Sequence, residues 1–286
     1  MSDGEVLVDR AGWQYLLPLS SDGSIGIVGK LENDDFHALA ERTTNLRVFK
    51  NGSDLRNNKG ERFDAVIIGS GGDAGDVIDA SVWLRPGGIL WIDSSTNRLA
   101  KAMRRQRFGP MFTFAKLPNP DRLRLLVPVS EGGKVVRTAL QMHAGGTRVT
   151  RLKSLLFGLG AFRLTLFGIG PHTAMLGFAP GGRIESLWSV SAPSANLAID
   201  TVPAVLSASP RSGRKAIIGA FSRSGSARYF TKVTDSPHDY GHIERETKIL
   251  SELSRRYSKT GLKVPAILNQ GSYGESRFLT LGPIDM

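Results

Sequence analysis

FDAVIIGSGGDAGDVIDASVWLRPGGILWIDS, residues 63–94, reads as one complete strand–helix–strand unit. Its opening, FDAVIIGS (63–70), has an all-apolar centre, as a strand covered on both faces requires. From Asp76, DVIDASVWL puts Val77, Ile78, Val82 and Trp83 or Leu84 near helical spacing, which predicts a helix opened by Asp76. Arg85-Pro86-Gly87-Gly88 stops it, because proline cannot continue a helix and two glycines permit a tight reversal. ILWIDS (89–94) is the next strand. Strand, helix and strand in this order are the repeating unit of an open sheet with helices packed on it.

The same alternation extends on both sides. SIGIVGK (24–30) and LRVF (46–49) read as strands, and Asn33-Asp34-Asp35 offers caps for a helix through FHALAER. RLAKAMRRQRFG (98–109) reads as a basic helix with a glycine stop. FTFAKL and LRLLVPV read as an antiparallel pair around Pro118-Asn119-Pro120. Residues 1–130 are therefore expected to form an α/β, Rossmann-like, mostly parallel sheet.

Residues 131–203 are expected to be a basic amphipathic linker. The run LKSLLFGLGAFRLTLFGIG (152–170) is apolar but carries Arg163 near its centre and several glycines. A central arginine costs a spanning helix about 2.5–3.5 kcal/mol, so a transmembrane span is rejected. A surface-lying helix and a buried helical linker both stay open. SAPSANLAIDTVP (191–203) is small, polar and proline-marked, the expected boundary before a third, small α+β unit at 204–286.

Composition narrows the chemistry. The chain has 286 residues, 41% apolar, enough for a core. It has no cysteine, which removes disulfides, thiolate metal sites and cysteine nucleophiles. The N-terminus, MSDGEVLVDR, lacks the apolar core of a secretory signal, so a cytoplasmic protein is expected. Net charge is +11, and residues 98–200 hold 15 Lys/Arg against 4 Asp/Glu. That balance suits an anionic membrane surface, with peripheral contact at the inner membrane face. Nucleic acid is not expected, since aromatics are not interleaved with the cations.

Residues 10–130 resemble the class I S-adenosylmethionine-dependent methyltransferases, on Asp64-Ala65-Val66-Ile67 followed by a helix, Leu84-Arg85-Pro86-Gly87-Gly88 and a strand. The resemblance implies S-adenosylmethionine as cofactor, bound near the loop after the first strand. That loop, Ile27-Val28-Gly29-Lys30-Leu31-Glu32, departs from the family's glycine-rich pattern, keeping only Gly26 and Gly29. The second strand ends in Phe49-Lys50 where the family has an acidic residue, leaving Glu32 and Asp54 as substitutes. Gly69 and Gly71 lie where the family's substrate loop begins. No catalytic residue and no metal ligand is assigned.

Residues 204–286 resemble the amino-terminal lobe of the aminoglycoside-phosphotransferase-like kinases, in the versions attached to bacterial exopolysaccharide proteins. The match rests on Arg214-Lys215, the turn Ser224-Gly225-Ser226, Tyr229-Phe230-Thr231-Lys232-Val233, Arg245-Glu246 and Val264-Pro265. It implies a Lys232–Glu246 pair over nucleotide phosphates and a covering loop at 209–213. None of the histidines has Asp two positions on, so the family's catalytic loop is missing and ATP with magnesium would need a second lobe. The lobe reads as truncated, and the chain as one linked to surface-polysaccharide assembly, acting on a small molecule or glycan. The alternatives are a non-catalytic binding or scaffold protein with a degenerate Rossmann domain, or a fragment of a longer bifunctional protein.

Overall fold

In a computed structural model, residues 12–20, 22–40, 42–117, 125–131, 133–143, 173–182, 184–207, 216–235, 237–257 and 263–284 are described. The elements run β1 (Ser24–Val28), α1 (Asn33–Ala40), β2 (Asn45–Phe49), α2 (Gly52–Arg56), β3 (Phe63–Ile68), α3 (Ala74–Trp83), β4 (Leu84–Ile92) and α4 (Asn97–Arg105). Then come β5 (Met111–Leu117), β6 (Leu125–Pro128), α5 (Gly133–His143), β7 (Thr173–Phe178), α6 (Leu187–Ser191) and α7 (Ala195–Asp200). The chain continues with β8 (Thr201–Ser207), β9 (Ala216–Ser222), β10 (Ala227–Thr234), α8 (Tyr240–Tyr257), β11 (Ile267–Tyr273) and β12 (Ser276–Leu281).

The described strands form one sheet, ordered β11-β12-β10-β9-β8-β6-β5-β7-β4-β3-β1-β2. The pairs β1–β2, β1–β3 and β3–β4 are parallel. Every other pair is antiparallel, so the mostly parallel expectation holds for β1–β4 and not for the sheet as a whole. β7 runs antiparallel to both β4 and β5, so β5 points the same way as β4. The 131–203 region is thus more than a linker: its β7 is a central strand. The 152–170 run and the 209–213 loop lie outside the described residues.

Two apolar layers hold the sheet. On one face, α2, α3 and α4 press Leu55, Val77, Ala80, Leu99, Ala102 and Met103 against Val28, Phe63, Val66, Ile68, Leu90 and Ile92. On the other lie a 3-10 turn (Gly12–Leu16), α1, α5 and α6. There the Trp13 and Trp91 rings stack, with centroids 4.7 Å apart. Alternation along β1 divides the layers, since Ile25 and Ile27 face the second and Val28 the first.

Local chemistry explains the boundaries. α3 starts two residues before the predicted Asp76, because Asp73 caps it and Asp76 returns the bond in a capping box. The LRPGG turn is absorbed into β4. Between the Phe63–Leu84 and Ala65–Ile89 pairs the register shifts, and Gly87 takes φ 76° at the bulge. The bulge holds its own partner, since Gly87 N–H donates to Pro180 O at 3.1 Å.

Candidate functional site

In open α/β sheets a ligand crevice forms beyond the carboxyl ends of the strands, where the strand order reverses. Here the chain steps from β1 to β2 on one side and returns to β3 on the other, so the reversal lies between Val28 and Ile68. Gly29 and Gly71 stand in the loops beyond these ends at φ 80° and 87°, with open space where a Cβ would be. That leaves backbone accessible to a ligand. Between them the two loops touch. Lys30 and Ser70 form a β-bridge, and a Cβ on Gly69 would lie 2.1 Å from the Lys30 carbonyl oxygen. Gly69 is thus required by close backbone approach, which narrows the crevice at its base.

The other predicted residues disperse. Gly26 sits inside β1, with the Phe63 ring 3.2 Å from where its Cβ would be. Its placement is a core packing position rather than a loop. Asp54 is exposed in α2, a short helix that fills the 50–63 interval, where no strand forms. Glu32 is exposed at the entry to α1, close enough to Asp35 to act on its charge.

Sequence reasoning missed the ionisable cluster at this edge. Asp35, in α1, is buried and accepts a hydrogen bond from Trp13 Nε1 at 3.2 Å. Burial raises its carboxyl from 3.8 to about 6. The Trp13 bond opposes the rise, Asp93 adds to it, Lys116 opposes it and Glu32 adds. Asp93 follows β4 directly, and the buried Lys116 of β5 donates to it. Two signals were present in the sequence: an aspartate ending the apolar strand ILWI, and a lone lysine inside FTFAKL. Asp35 can therefore exchange a proton near neutral pH. Among the described residues no group of His, Asp and Glu has the arrangement to hold a metal ion.

A cleft of about 380 Å³ opens at the opposite edge, beside Thr43 and Thr44 and the β11–β12 turn. Tyr15 donates to Asp235 at 2.6 Å, Arg42 pairs with Asp235, and the Arg42 guanidinium lies 4.6 Å above the Tyr15 ring. Burial pushes the Tyr15 hydroxyl far above its ordinary range and Tyr273 up to about 12. The charges are satisfied internally, so the network fastens the end of β10 to the start of β2.

In the C-terminal strands Lys232 of β10 and Glu246 of α8 form an ion pair. Lys232 stands opposite Leu279 of β12, which packs under Ile243 of the same helix. The predicted turn at 224–226 closes the β9–β10 hairpin, with Gly225 N–H donating to Ser222 O at 2.9 Å. Among the described residues no helix is long and apolar enough to cross a membrane.

No family model and no curated protein matches the chain. Solved structures do. One is a SAM-dependent O-methyltransferase from Thermotoga maritima, 11% identical, covering 59% of this chain and 64% of its own, at TM-score 0.34. Another is an N-methyltransferase from Bradyrhizobium japonicum, 12% identical, covering 63% of this chain and 99% of its own, at TM-score 0.28. This chain therefore spans just under two thirds of the first.

Proposed function

We propose that the carboxyl edge of β1, β3 and β4 binds S-adenosylmethionine and that the protein is methyltransferase-like. The observation that carries this reading is the Asp35–Asp93–Lys116 cluster at the carboxyl edge that includes the strand-order reversal. Negative charge from Asp35 and Glu32, which follow the Gly29 loop at the entry to α1, would suit a sulfonium ligand. When bound, the cofactor would supply a methyl group on an electrophilic carbon. Asp35 would accept the proton that an oxygen or nitrogen acceptor releases, while Lys116 holds Asp93 in place. Titration calorimetry with S-adenosylmethionine and its demethylated product tests the reading. Heat of binding that falls in Asp35→Asn is expected; absence of heat from folded protein overturns it.

The Lys30–Ser70 bridge favours a second reading, a non-catalytic binding protein in which the crevice base is already filled by backbone. Binding of the demethylated product without turnover of any acceptor would mark that case. The Lys232–Glu246 pair supports a phosphotransferase-like lobe within 204–286, where ATP and magnesium would need groups from a second lobe. A small-molecule or glycan acceptor, a role in surface-polysaccharide assembly and a cytoplasmic location extend the same proposal.

A further inference from the structure

α3 and α4 lie side by side over one face of the sheet, and both bury their apolar stripes in the same cluster. Ser81 Oγ of α3 meets Gln106 Oε1, just past α4, at 3.2 Å. What the two helices turn outward is unusual. The outer face of α4 carries Arg98, Lys101, Arg104 and Arg105, all exposed, with no acidic residue in the helix. None of the four is ion-paired among the described residues. Beside them α3 exposes Ile78 (45%) and Val82 (58%), one helical turn apart.

The acids of α3 do not offset these cations. Asp79 is buried against Arg56, and Asp76 accepts from the Gly52 and Asp73 backbone N–H groups at 2.8 and 2.9 Å. Arg104 and Arg105 also suit the negative end of the α4 dipole, but Arg98 and Lys101 lie before its last turn and gain nothing there.

We propose that this α3–α4 crest docks on an anionic lipid bilayer, with Ile78 and Val82 entering the headgroup boundary and the α4 cations meeting lipid phosphates. Exposed aliphatic side chains beside unpaired cations are the chemistry of surface-lying membrane contacts. A surface for single-stranded nucleic acid would instead present aromatic rings for stacking bases, and α4 has none. The inference does not depend on the cofactor reading.

Co-sedimentation of the full chain tests it, using vesicles of phosphatidylcholine alone and of phosphatidylcholine with phosphatidylglycerol at low salt. Binding only to the anionic vesicles is expected. Arg98→Glu/Lys101→Glu/Arg105→Glu should weaken it at least about tenfold, since each cation near such a surface is worth about 1 kcal/mol. Ile78→Ser/Val82→Ser should weaken what binding persists at high salt. Lys248→Glu on α8 should change nothing, and circular dichroism confirms that each variant is folded. Binding that survives the α4 reversal, equal loss in Lys248→Glu, or capture by a nucleic-acid duplex without vesicle binding would each overturn the proposal.

Discussion

Lys116 reaches Asp93 across an intervening strand. Asp93 follows β4, Lys116 belongs to β5, and β7 lies hydrogen-bonded between those two strands. Neighbouring strands are about 4.8 Å apart, so the lysine side chain crosses roughly two spacings to make the pair. It thus ties the last parallel strand to the hairpin beyond β7.

Removing one partner leaves the other buried and uncompensated. Lys116→Met should destabilise the fold by about 3 kcal/mol, and Lys116→Met/Asp93→Leu should recover most of that loss. Urea denaturation of the two variants, side by side, checks the difference.

Asp35 gives a pH signature. Its folded-state value, about 6, exceeds the ordinary 3.8, so the folded protein holds this proton more tightly than the unfolded chain. Its contribution is complete below about pH 3.8 and lost as pH rises through about 6, roughly 3 kcal/mol in all. Asp35→Asn should remove that slope, so its stability relative to wild type should rise between pH 4 and pH 7. Parallel curves for the two proteins would refute the assignment.

Gly69→Ala places a methyl against the Lys30 carbonyl. The loops must part or the backbone must strain, at a cost of about 2 kcal/mol. A lower melting temperature is expected, larger than that caused by Gly71→Ala, whose added carbon meets nothing but occupies a φ of 87°.

The Lys232–Glu246 pair is partly solvated, with side chains 28% and 25% exposed. A double-mutant cycle of Lys232→Met and Glu246→Gln should therefore return a coupling near 1 kcal/mol. A value indistinguishable from zero would mean that solvent dissolves the pair.

What could be read from the sequence was local. FDAVIIGS and ILWIDS are apolar enough to declare buried strands, and the Lys232–Glu246 pair was implied by the resemblance of residues 204–286 to a kinase-type lobe. The single sheet was not legible, because β7 pairs with β4 and β5 across long separations and no local pattern names a strand's partner. The ionisable cluster escaped for the same reason. Asp35, Asp93 and Lys116 come from separate units, and only tertiary packing shows that one tryptophan bond and one ion pair draw them to one edge.

The place of β7 also governs how the protein can be made. Residues 111–117 have no seat beside β4 until residues 173–178 fill the slot between them. A ribosome extending the chain by about 5–20 residues per second would hold that hairpin waiting for several seconds. During that interval the exposed edge of β4 is open to strangers, so a chaperone that shields β-edges should raise the yield of nascent protein more than that of refolded protein.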